Sequence, residues 1–342
     1  MSCAVYTKRP IQSVRALCCA LGCTEDHLLS VAARVPNLYI GPSPIQKNNG
    51  GGVRHVYDTK SPLKPILKKI NSVFFQKVKF PEYLHGSLTG RDFIGNVEAH
   101  AHSRIVITED IAQFFDCITY EHVYKIWSGL FGFSQEPSSI LSKLTTNIDQ
   151  TNKHRVFQGT PTSSYLANLV FWDIEHKFVD KLASRGIRYT RYVDDITLSS
   201  SNSLSRESIC WAISQIYAMM GSRGFKPKRS KHTLQTSKNR ISIMGINANQ
   251  HPTLSKLERA NIRASVHQLE QAFEQDKIDL EFRRSINQVR GKVGRLGRMH
   301  PSEALTLKER IKALQRAVDA LPFVTLPVEI IGDDGDPSGL PF

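Results

Sequence analysis

Two neighbouring aspartates inside a strand-forming run, "RYTRYVDDITLSS" at residues 188–200, restrict the possible folds of this chain more than any other segment. Aromatic and β-branched residues on both sides favour strands, which predicts a strand–turn–strand with Asp194 and Asp195 at its tip. Adjacent carboxylates repel each other unless a cation neutralises them. A plain turn-forming Asp-Asp is the alternative, and the strand-forming flanks speak against it. The hairpin therefore predicts a cation site that needs a further acid.

Asp110 is the best candidate for that acid, because it ends the strand-like segment "RIVITED". If this segment and the hairpin are neighbours in one sheet, three carboxylates converge. Two Mg²⁺ ions roughly 3.5–4 Å apart can use such a set to activate a nucleophile and to stabilise a leaving group. Hard cations prefer oxygen ligands, so we expect two Mg²⁺, with Mn²⁺ as an alternative.

The charge of the chain indicates a polyanionic partner. Forty-five Lys and Arg against 31 Asp and Glu give a net charge of +14. The excess is clustered: residues 221–240 carry seven basic side chains and no acid, and residues 60–80 carry six lysines and no acid. Such clusters are typical of nucleic-acid binding, and a solvated basic surface is the alternative.

Several classes of protein are disfavoured. The longest apolar runs are far shorter than a membrane span and no basic-then-apolar leader opens the chain, so we expect a cytoplasmic protein without membrane association. Six cysteines in 342 residues do not suggest a disulfide framework. A zinc site at Cys19, Cys23 and His27 lacks an evident fourth ligand.

Strand and helix signals alternate along the chain. In the first third we expect two short helices within 1–35, a hairpin with its turn at Asn48–Gly52 and a basic amphipathic helix over 61–80. A long helix should follow the Gly/Pro turn that begins at Gln158. Further on we expect a helix over 205–224, a strand within 241–249 and helices from Leu254 onward. "GDDGD" near the C-terminus lacks flanking strands and a calcium-loop Glu, so we interpret it as part of a solvated tail.

Several motifs together resemble a known family. "SRIVITEDIAQFFDCI", "QGTPTSSYLANL" and "YVDD" are similar, in order and separation, to the palm motifs of reverse transcriptases. "NVEAH" at 96–100 and "IMGINAN" at 243–249 resemble the Asn-Ala-x-x-His and Val-Thr-Gly elements of the retron-type bacterial enzymes, and "LCCALGCTEDHLLSVA" and "GGGVR" resemble their opening. The similarity covers roughly residues 15–300. Departures from the family pattern occur at Val97, Glu109, Asp116, Phe157, Ser164 and Met244.

The resemblance implies an α+β right-hand polymerase with fingers, a palm built on an antiparallel sheet, and a helical thumb. The implied boundaries are 1–100 for the fingers with N-terminal helices, 101–250 for the palm with a finger insertion at about 119–155, 251–325 for the thumb and 326–342 for the tail.

The resemblance also implies roles for single residues. Asp110, Asp194 and Asp195 would be catalytic and would hold the metals with the Ile111 carbonyl. Five residues would bind the incoming dNTP: Arg54, Ile111, Phe115, Gln158 and Lys231. Phe115 would exclude a 2′-hydroxyl, with a core position as the alternative. Lys231 would act near the triphosphate, with binding to the nucleic-acid backbone as the alternative.

Nucleic-acid contacts are implied at two places. Asn96, His100 and Tyr192 would lie near the RNA or the primer end. The basic helix at 283–298 would contact the RNA–DNA hybrid through Arg290, Lys292, Arg295 and Arg298, with a merely solvated helix as the alternative.

The implied function is that of an RNA-directed DNA polymerase of a retron. It would copy part of a structured non-coding RNA into DNA from dNTPs, prime from an RNA 2′-hydroxyl to give a branched RNA–DNA product, and serve antiphage defence with a separate effector protein. Two alternatives stay open: a defence polymerase that makes no branched product or uses no template, and an RNA-binding scaffold with a vestigial site.

Overall fold

The computed structural model describes residues 3–46 and 52–320, which form two compact units that divide after Thr253. The sequence placed this boundary at 250/251. Most of the turn predicted at Asn48–Gly52, the tail at 326–342 and the last residues of the predicted thumb lie outside the described residues.

The strands are short apart from the central ones and one long hairpin. They are β1 (Val5–Tyr6), β2 (Tyr39–Gln46), β3 (Val53–Thr59), β4 (Val78–Lys79), β5 (Ile105–Asp110), β6 (Asn147–Ile148), β7 (His154–Arg155), β8 (Arg188–Tyr192), β9 (Asp195–Ser200), β10 (Thr233–Thr236), β11 (Ser242–Ile243) and β12 (Ile246–Asn247).

Helices make up most of the remainder. They are α1 (Val14–Leu21), α2 (Glu25–Ala33), α3 (Leu63–Val73), α4 (Phe93–Glu98), α5 (Tyr120–Lys125), α6 (Gln135–Thr145), α7 (Ser163–Leu169), α8 (Glu175–Ala183), α9 (Arg206–Gly221), α10 (Lys256–Glu274), α11 (Leu280–Gly297) and α12 (Pro301–Asp319).

A four-stranded antiparallel sheet in the order β10-β5-β9-β8, which we call the central sheet, organises the first unit. The register of β5 and β9 sets Ile105 opposite Ser200 at one end and Asp110 opposite Asp195 at the other. The prediction that the Asp110 segment and the hairpin are sheet neighbours is therefore confirmed. Strand β10 was not predicted.

The central sheet has two different faces, because side chains alternate along each strand. One face, which we call the helix face, carries Ile107, Ile196, Leu198 and Tyr189, all buried in the main apolar core. The opposite face carries Asp110 and Asp195, and we call it the carboxylate face. Asp110 and Asp195 thus project from a sheet whose opposite face packs in the apolar core.

Helices around the sheet begin and end where the sequence supplies caps. The Ser205 hydroxyl accepts a hydrogen bond from the amide of Ser208 at the start of α9, and Gly22 ends α1 in the left-handed region at φ 71°. The predicted finger insertion contributes α6, which packs against α1, α2 and α3.

Three sequence predictions on elements were wrong in detail. The single long helix after the Gly/Pro turn is two helices, since α7 ends at Leu169 and α8 begins at Glu175. The basic helix within 61–80 ends at Val73. The strand predicted within 241–249 is the tight hairpin β11–β12, which turns at Met244 and Gly245, both at positive φ.

The turn at Gln158 and Gly159 packs against the long hairpin β2–β3. The amide of Tyr57 in β3 donates a hydrogen bond to the Gln158 carbonyl at 2.8 Å. Gly159 adopts φ 107°, and a Cβ there would lie 2.4 Å from the Tyr57 carbonyl oxygen and from Val56 Cγ1. The absence of a side chain at Gly159 therefore makes room for strand β3.

The second unit is a three-helix assembly of α10, α11 and α12. Each helix buries an apolar stripe, including Val266 in α10, Val293 in α11 and Val318 in α12. Arg310 and Glu270 join α12 to α10 through two hydrogen bonds of 2.8 and 2.5 Å. In residues 3–46 and 52–320 no single helix has the length and apolarity to span a membrane, while the bent pair α1–α2 passes that test on length and composition only.

We expect Gly159→Ala to lower the free energy of unfolding by about 2–4 kcal/mol, since the new Cβ overpacks against β3 and the backbone is left-handed. Gly186→Ala is the matched control, because Gly186 also has positive φ but has open space where a Cβ would lie. Urea unfolding of both variants measures the difference. Equal losses for the two variants would contradict the close approach of this turn to β3.

Candidate active site

The three aspartates converge at one end of the central sheet. Asp110 ends β5, Asp194 lies in the β8–β9 turn, and Asp195 begins β9 directly opposite Asp110. The amide of Ile111 donates to the Asp194 carbonyl at 3.1 Å, which ties the chain leaving β5 to the turn. Asp110 is 4% exposed, so its carboxylate lies inside the protein surface. Residues about 84 positions apart in sequence thus form one acidic cluster, as the sequence predicted.

The backbone conformation of the β8–β9 turn depends on the segment around Gly86, which packs against it. Val193 has φ 60°, a left-handed conformation that is unfavourable for a β-branched residue. Gly86 lies directly against it, since a Cβ on Gly86 would be 2.6 Å from the Val193 nitrogen. Asn168 donates to the Gly86 carbonyl at 2.7 Å and holds this contact in place. The backbone conformation of Val193, which orients Asp194, therefore depends on its close packing against Gly86.

A fully buried guanidinium supports the same turn from the helix face. Arg191 donates to the carbonyl of Val193 at 3.0 Å and to the two oxygens of Glu175 at 2.6 and 2.8 Å. The Tyr189 hydroxyl donates to the same carboxylate at 2.6 Å. Burial opposes the charged guanidinium, but Glu175 outweighs it and raises the pKa of Arg191.

Sequence reasoning missed this arrangement. One signal was present: Tyr189 and Arg191 lie two positions apart in a strand-forming segment, which places the arginine on the same face as an aromatic residue. Its partner Glu175 follows the helix break that was not predicted.

Neighbouring basic side chains only partly neutralise the negative charge of the acidic cluster. Burial, and then the charge of Asp110, raise the pKa of Asp194. Burial, followed by the charges of Asp194 and Asp110, raises the pKa of Asp195 to about 7. Arg54 and Lys231 act in the opposite direction on Asp194 without cancelling the shift. The cluster therefore favours the binding of a further cation.

The Lys231 side chain already places one positive charge on the cluster. Its ammonium donates a hydrogen bond to Asp110 Oδ2 while the lysine side chain stays half exposed. Burial opposes the ammonium, but the bond to Asp110 and the charges of Asp110, Asp195 and Asp194 outweigh it and raise the pKa of Lys231. The predicted lysine thus lies at the carboxylates.

The residues present suit a hard divalent cation by their chemistry. The cluster offers carboxylate oxygens, and it attracts the ammonium of Lys231 to one of them. Within the described part of the chain, however, no group of three or more His, Cys, Asp or Glu side chains is arranged so that it could hold a metal ion. The predicted ligand set is therefore present as a cluster of charges, with Lys231 on Asp110, and is not preformed as a coordination shell.

The other predicted dNTP residues differ in their exposure and in the groups that they contact. Arg54 is exposed on β3, and its charge acts on Asp194. Phe115 is partly buried beside Phe114, with ring centroids 5.9 Å apart, whereas Phe114 is 3% exposed and belongs to the core. Gln158 uses its carbonyl to bind β3, which leaves a role for its side chain as a prediction.

Asn96 and His100 do not have the accessibility that a direct nucleic-acid contact needs. They are 1% and 0% exposed. The ring nitrogens of His100 lie 2.7 Å from the hydroxyls of Ser199 and Thr190, and burial lowers the pKa of His100 to about 3. His100 therefore fastens the segment after α4 to the carboxylate face, at the end away from the aspartates. These side chains have structural contacts here and almost no exposed surface, and a nucleic-acid contact by Asn96 or His100 stays a prediction.

The two segments that resemble retron elements meet in the structure. Asn96 Nδ2 donates to the sulfur of Met244 at 3.7 Å, and the amide of His102 donates to the Asn249 carbonyl at 2.9 Å. Tyr192 lies at the end of β8 and is partly buried; burial, and then the charges of Asp92 and Asp195, raise the pKa of Tyr192.

The basic residues predicted on α11 differ in their surroundings. Arg290, Lys292 and Arg298 are exposed. Arg295 donates to Glu258 of α10 at 2.7 Å and so contributes to packing within the second unit. A phosphate contact by Arg295 would compete with this ion pair, and such a contact stays a prediction for all four residues.

Comparison with known proteins decides the family. Residues 45–248 match the family described as "Reverse transcriptase (RNA-dependent DNA polymerase)". The chain is 31% identical over 318 residues to the retron Se72 reverse transcriptase of Salmonella heidelberg, which covers 92% of this chain and 82% of that protein. The chain belongs to the reverse transcriptases. Among these it is of the retron type, and it has the α+β right-hand polymerase fold.

A second curated relative agrees with this assignment. The retron Ec48 reverse transcriptase of Escherichia coli is 28% identical over 90% of this chain and 77% of its own length. Among solved structures, a telomerase from Candida albicans in complex with a TWJ fragment of telomeric RNA aligns with 12% identity and a TM-score of 0.45, covering 86% of this chain and 66% of that one. This retron-type enzyme is thus an RNA-directed DNA polymerase, and the reverse transcriptase domain generally uses divalent metal ions.

At about pH 8 without divalent metal, we expect Asp195→Asn to raise the free energy of unfolding by about 1–2 kcal/mol, which is less than the full pKa shift implies because the turn is partly exposed. The pKa of Asp195 is about 7 in the folded protein, against ~3.9 in an unfolded chain. Between these values the folded state keeps a proton that the unfolded state has lost, so stability falls as the pH rises through this window.

Urea unfolding of parent and variant near pH 5 and pH 8 measures this effect. The gap should be larger at the higher pH and should shrink on addition of Mg²⁺, which binds the parent carboxylates. A gap that is the same at both pH values would contradict the repulsion between Asp195 and its neighbours.

Proposed function

We propose that this reverse transcriptase copies part of a structured non-coding RNA into DNA by two-metal nucleotidyl transfer at Asp110, Asp194 and Asp195. The observation that carries the proposal is the β5–β9 register, which sets Asp110 opposite Asp195 and beside the turn that holds Asp194. Carboxylates assembled at the end of a sheet in a polymerase family, with raised pKa values at Asp194 and Asp195, are suited to divalent cations.

Each residue of the cluster has a proposed role. Asp110 and Asp194, with the carbonyl of Ile111, would hold two Mg²⁺ ions, and Asp195 would assist. When bound, the ions supply activation of the attacking hydroxyl and charge stabilisation at the leaving pyrophosphate. Lys231 would then release Asp110 and turn its ammonium to the triphosphate, where it can neutralise charge or donate a proton.

The incoming nucleotide would lie between the carboxylates and the β2–β3 hairpin. Arg54 is exposed on that hairpin and can bind phosphate oxygens with two parallel hydrogen bonds. Phe115 would lie under the sugar and select deoxynucleotides by excluding a 2′-hydroxyl. Tyr192, beside Asp195 in the sheet register, would contact the primer end.

The relatives support a retron context for this reaction. They are retron reverse transcriptases, so we propose that the RNA is a dedicated structured transcript, primed from one of its own 2′-hydroxyls to give a branched RNA–DNA molecule. The exposed residues Arg290 and Lys292 of α11, and Arg298 directly after it, would bind the hybrid through its phosphates, independently of sequence. A role in antiphage defence with a separate effector protein belongs to the same proposal.

We expect Asp194→Asn to abolish dNTP incorporation on a primed RNA template while RNA binding stays within about twofold of the parent, because phosphate contacts elsewhere dominate affinity. Primer extension and filter binding at fixed salt measure the two properties. Asp276→Asn is the matched control, since Asp276 is exposed in the second unit with a left-handed backbone that Asn tolerates. Normal extension by Asp194→Asn would refute the site assignment.

Nucleic acid that co-purifies with the protein distinguishes the retron product from other products. We expect one covalent RNA–DNA species whose branch resists ribonuclease and yields a 2′–5′ linked nucleotide on digestion. Heterogeneous or homopolymeric DNA would instead identify a defence polymerase without a branched product. RNA without any DNA copy would favour a scaffold.

A further inference from the structure

Glu109 is a buried carboxylate in the strand that carries Asp110. Its side chain is 0% exposed, and it shares the helix face of the central sheet with the core residue Ile107. A carboxylate is unfavourable in such surroundings unless its oxygens accept hydrogen bonds.

Two side chains provide those hydrogen bonds. His232 Nδ1 lies 2.6 Å from one oxygen of Glu109, and the Tyr217 hydroxyl of α9 lies 3.3 Å from the other. An ionised carboxylate only accepts, so the imidazole and the phenol both donate. The shorter contact joins Glu109 to the residue that follows Lys231, and His232 itself is only partly buried.

The contact is one of three in succession between β5 and the chain that enters β10. The hydroxyls of Thr108 and Thr233 lie 2.7 Å apart, His232 bonds Glu109, and Lys231 bonds Asp110. The paired register of β10 begins at Thr233. On the other side of Lys231, the amide of Lys228 donates to the Asp110 carbonyl at 2.7 Å. A 3₁₀ turn, Arg229–Lys231, lies between these two main-chain attachments.

The position of Lys231 therefore depends on how this turn is held. Successive side chains of an extended segment point to opposite faces of a sheet, and a shift of one residue reverses every one of them. Glu109 and Asp110 are consecutive in β5 and point to opposite faces, so His232, bound to Glu109, and Lys231, bound to Asp110, are held on opposite faces of the sheet. A shifted turn would present a neighbouring side chain to Asp110 instead.

We propose that Glu109 is a positioning residue for the polymerase reaction: through His232 it fixes the turn that carries Lys231, and so sets the ammonium beside the carboxylates. This inference rests on the proposed function, because it requires Lys231 to act in nucleotide addition. Glu109 itself touches neither the nucleotide nor the metals.

The effect should appear in the rate of nucleotide addition. A positioned proton donor contributes about 10²–10⁴-fold, so Lys231→Ala should lower kcat about 100-fold. Misplacement by about 1 Å has large effects on rate, and Glu109→Leu, which removes the acceptor of His232, should lower kcat about tenfold. The KM for the primed RNA template should stay unchanged, since neither change touches nucleic-acid contacts.

A double-mutant cycle separates positioning from a general effect on folding. In the Lys231→Ala background, Glu109→Leu should have almost no further effect on kcat, because the group that it positions is gone. Tyr217→Phe is the matched control: it removes the longer bond to the same carboxylate on the helix side and should leave kcat within about twofold of the parent. Glu109→Gln, which keeps a hydrogen-bond acceptor for His232, should restore most of the rate.

Circular dichroism and urea unfolding establish that each variant is folded. If Glu109→Leu does not fold, His232→Ala breaks the same contact from the partly exposed side and should show the same loss in the same cycle. Rate losses that multiply independently in the double variant, or a Tyr217→Phe variant as slow as Glu109→Leu, would overturn the inference. The Asp194→Asn variant tests the proposed function separately, so a failure there is distinguishable from a failure of this cycle.

Discussion

The antiparallel pairing of β5 with β9 is the constraint to which the rest of the first unit responds. It sets Asp110 opposite Asp195 and brings Asp194 alongside, so that like charges meet in a partly buried place. Local structure around the pairing serves to keep this arrangement: Gly86 permits the unfavourable turn at Val193, and Lys231 supplies a first positive charge. An acidic cluster held in this way favours cation binding, because the fold prevents its members from moving apart.

The two faces of the central sheet differ in how completely their charged side chains are paired. On the helix face every charged group that we describe has close partners: Arg191 with Glu175, and Glu109 with His232 and Tyr217. On the carboxylate face the aspartates remain only partly compensated. This division suits the proposed active site, since the helix face supports the sheet while the carboxylate face would gain stability on binding substrate and metal.

The sequence predicted the acidic cluster because its parts carry strong local signals. Strand-forming residues precede Asp110 and flank Asp194, and the order of the motifs identified which segments are neighbours. It did not predict what depends on distant pairing: the strand β10, the helix break before Glu175, or the burial of His100, whose hydroxyl partners Thr190 and Ser199 lie 90 and 99 positions away. Glu109 was visible as an unusual acid, but only the fold shows that His232 binds it.

The Arg191–Glu175 pair has a consequence for how this sequence can change. Loss of either member leaves the other as an isolated charge in the core, at a cost of about 3–5 kcal/mol, whereas exchange of both for apolar residues of similar volume is often neutral. Stepwise variation is therefore blocked at these positions, whereas simultaneous variation is open when it also provides for the Val193 carbonyl and the Tyr189 hydroxyl, which bind this pair. A library of single substitutions would score both sites as intolerant. A library of paired substitutions would identify the residue combinations that can replace Arg191 and Glu175 in supporting the turn.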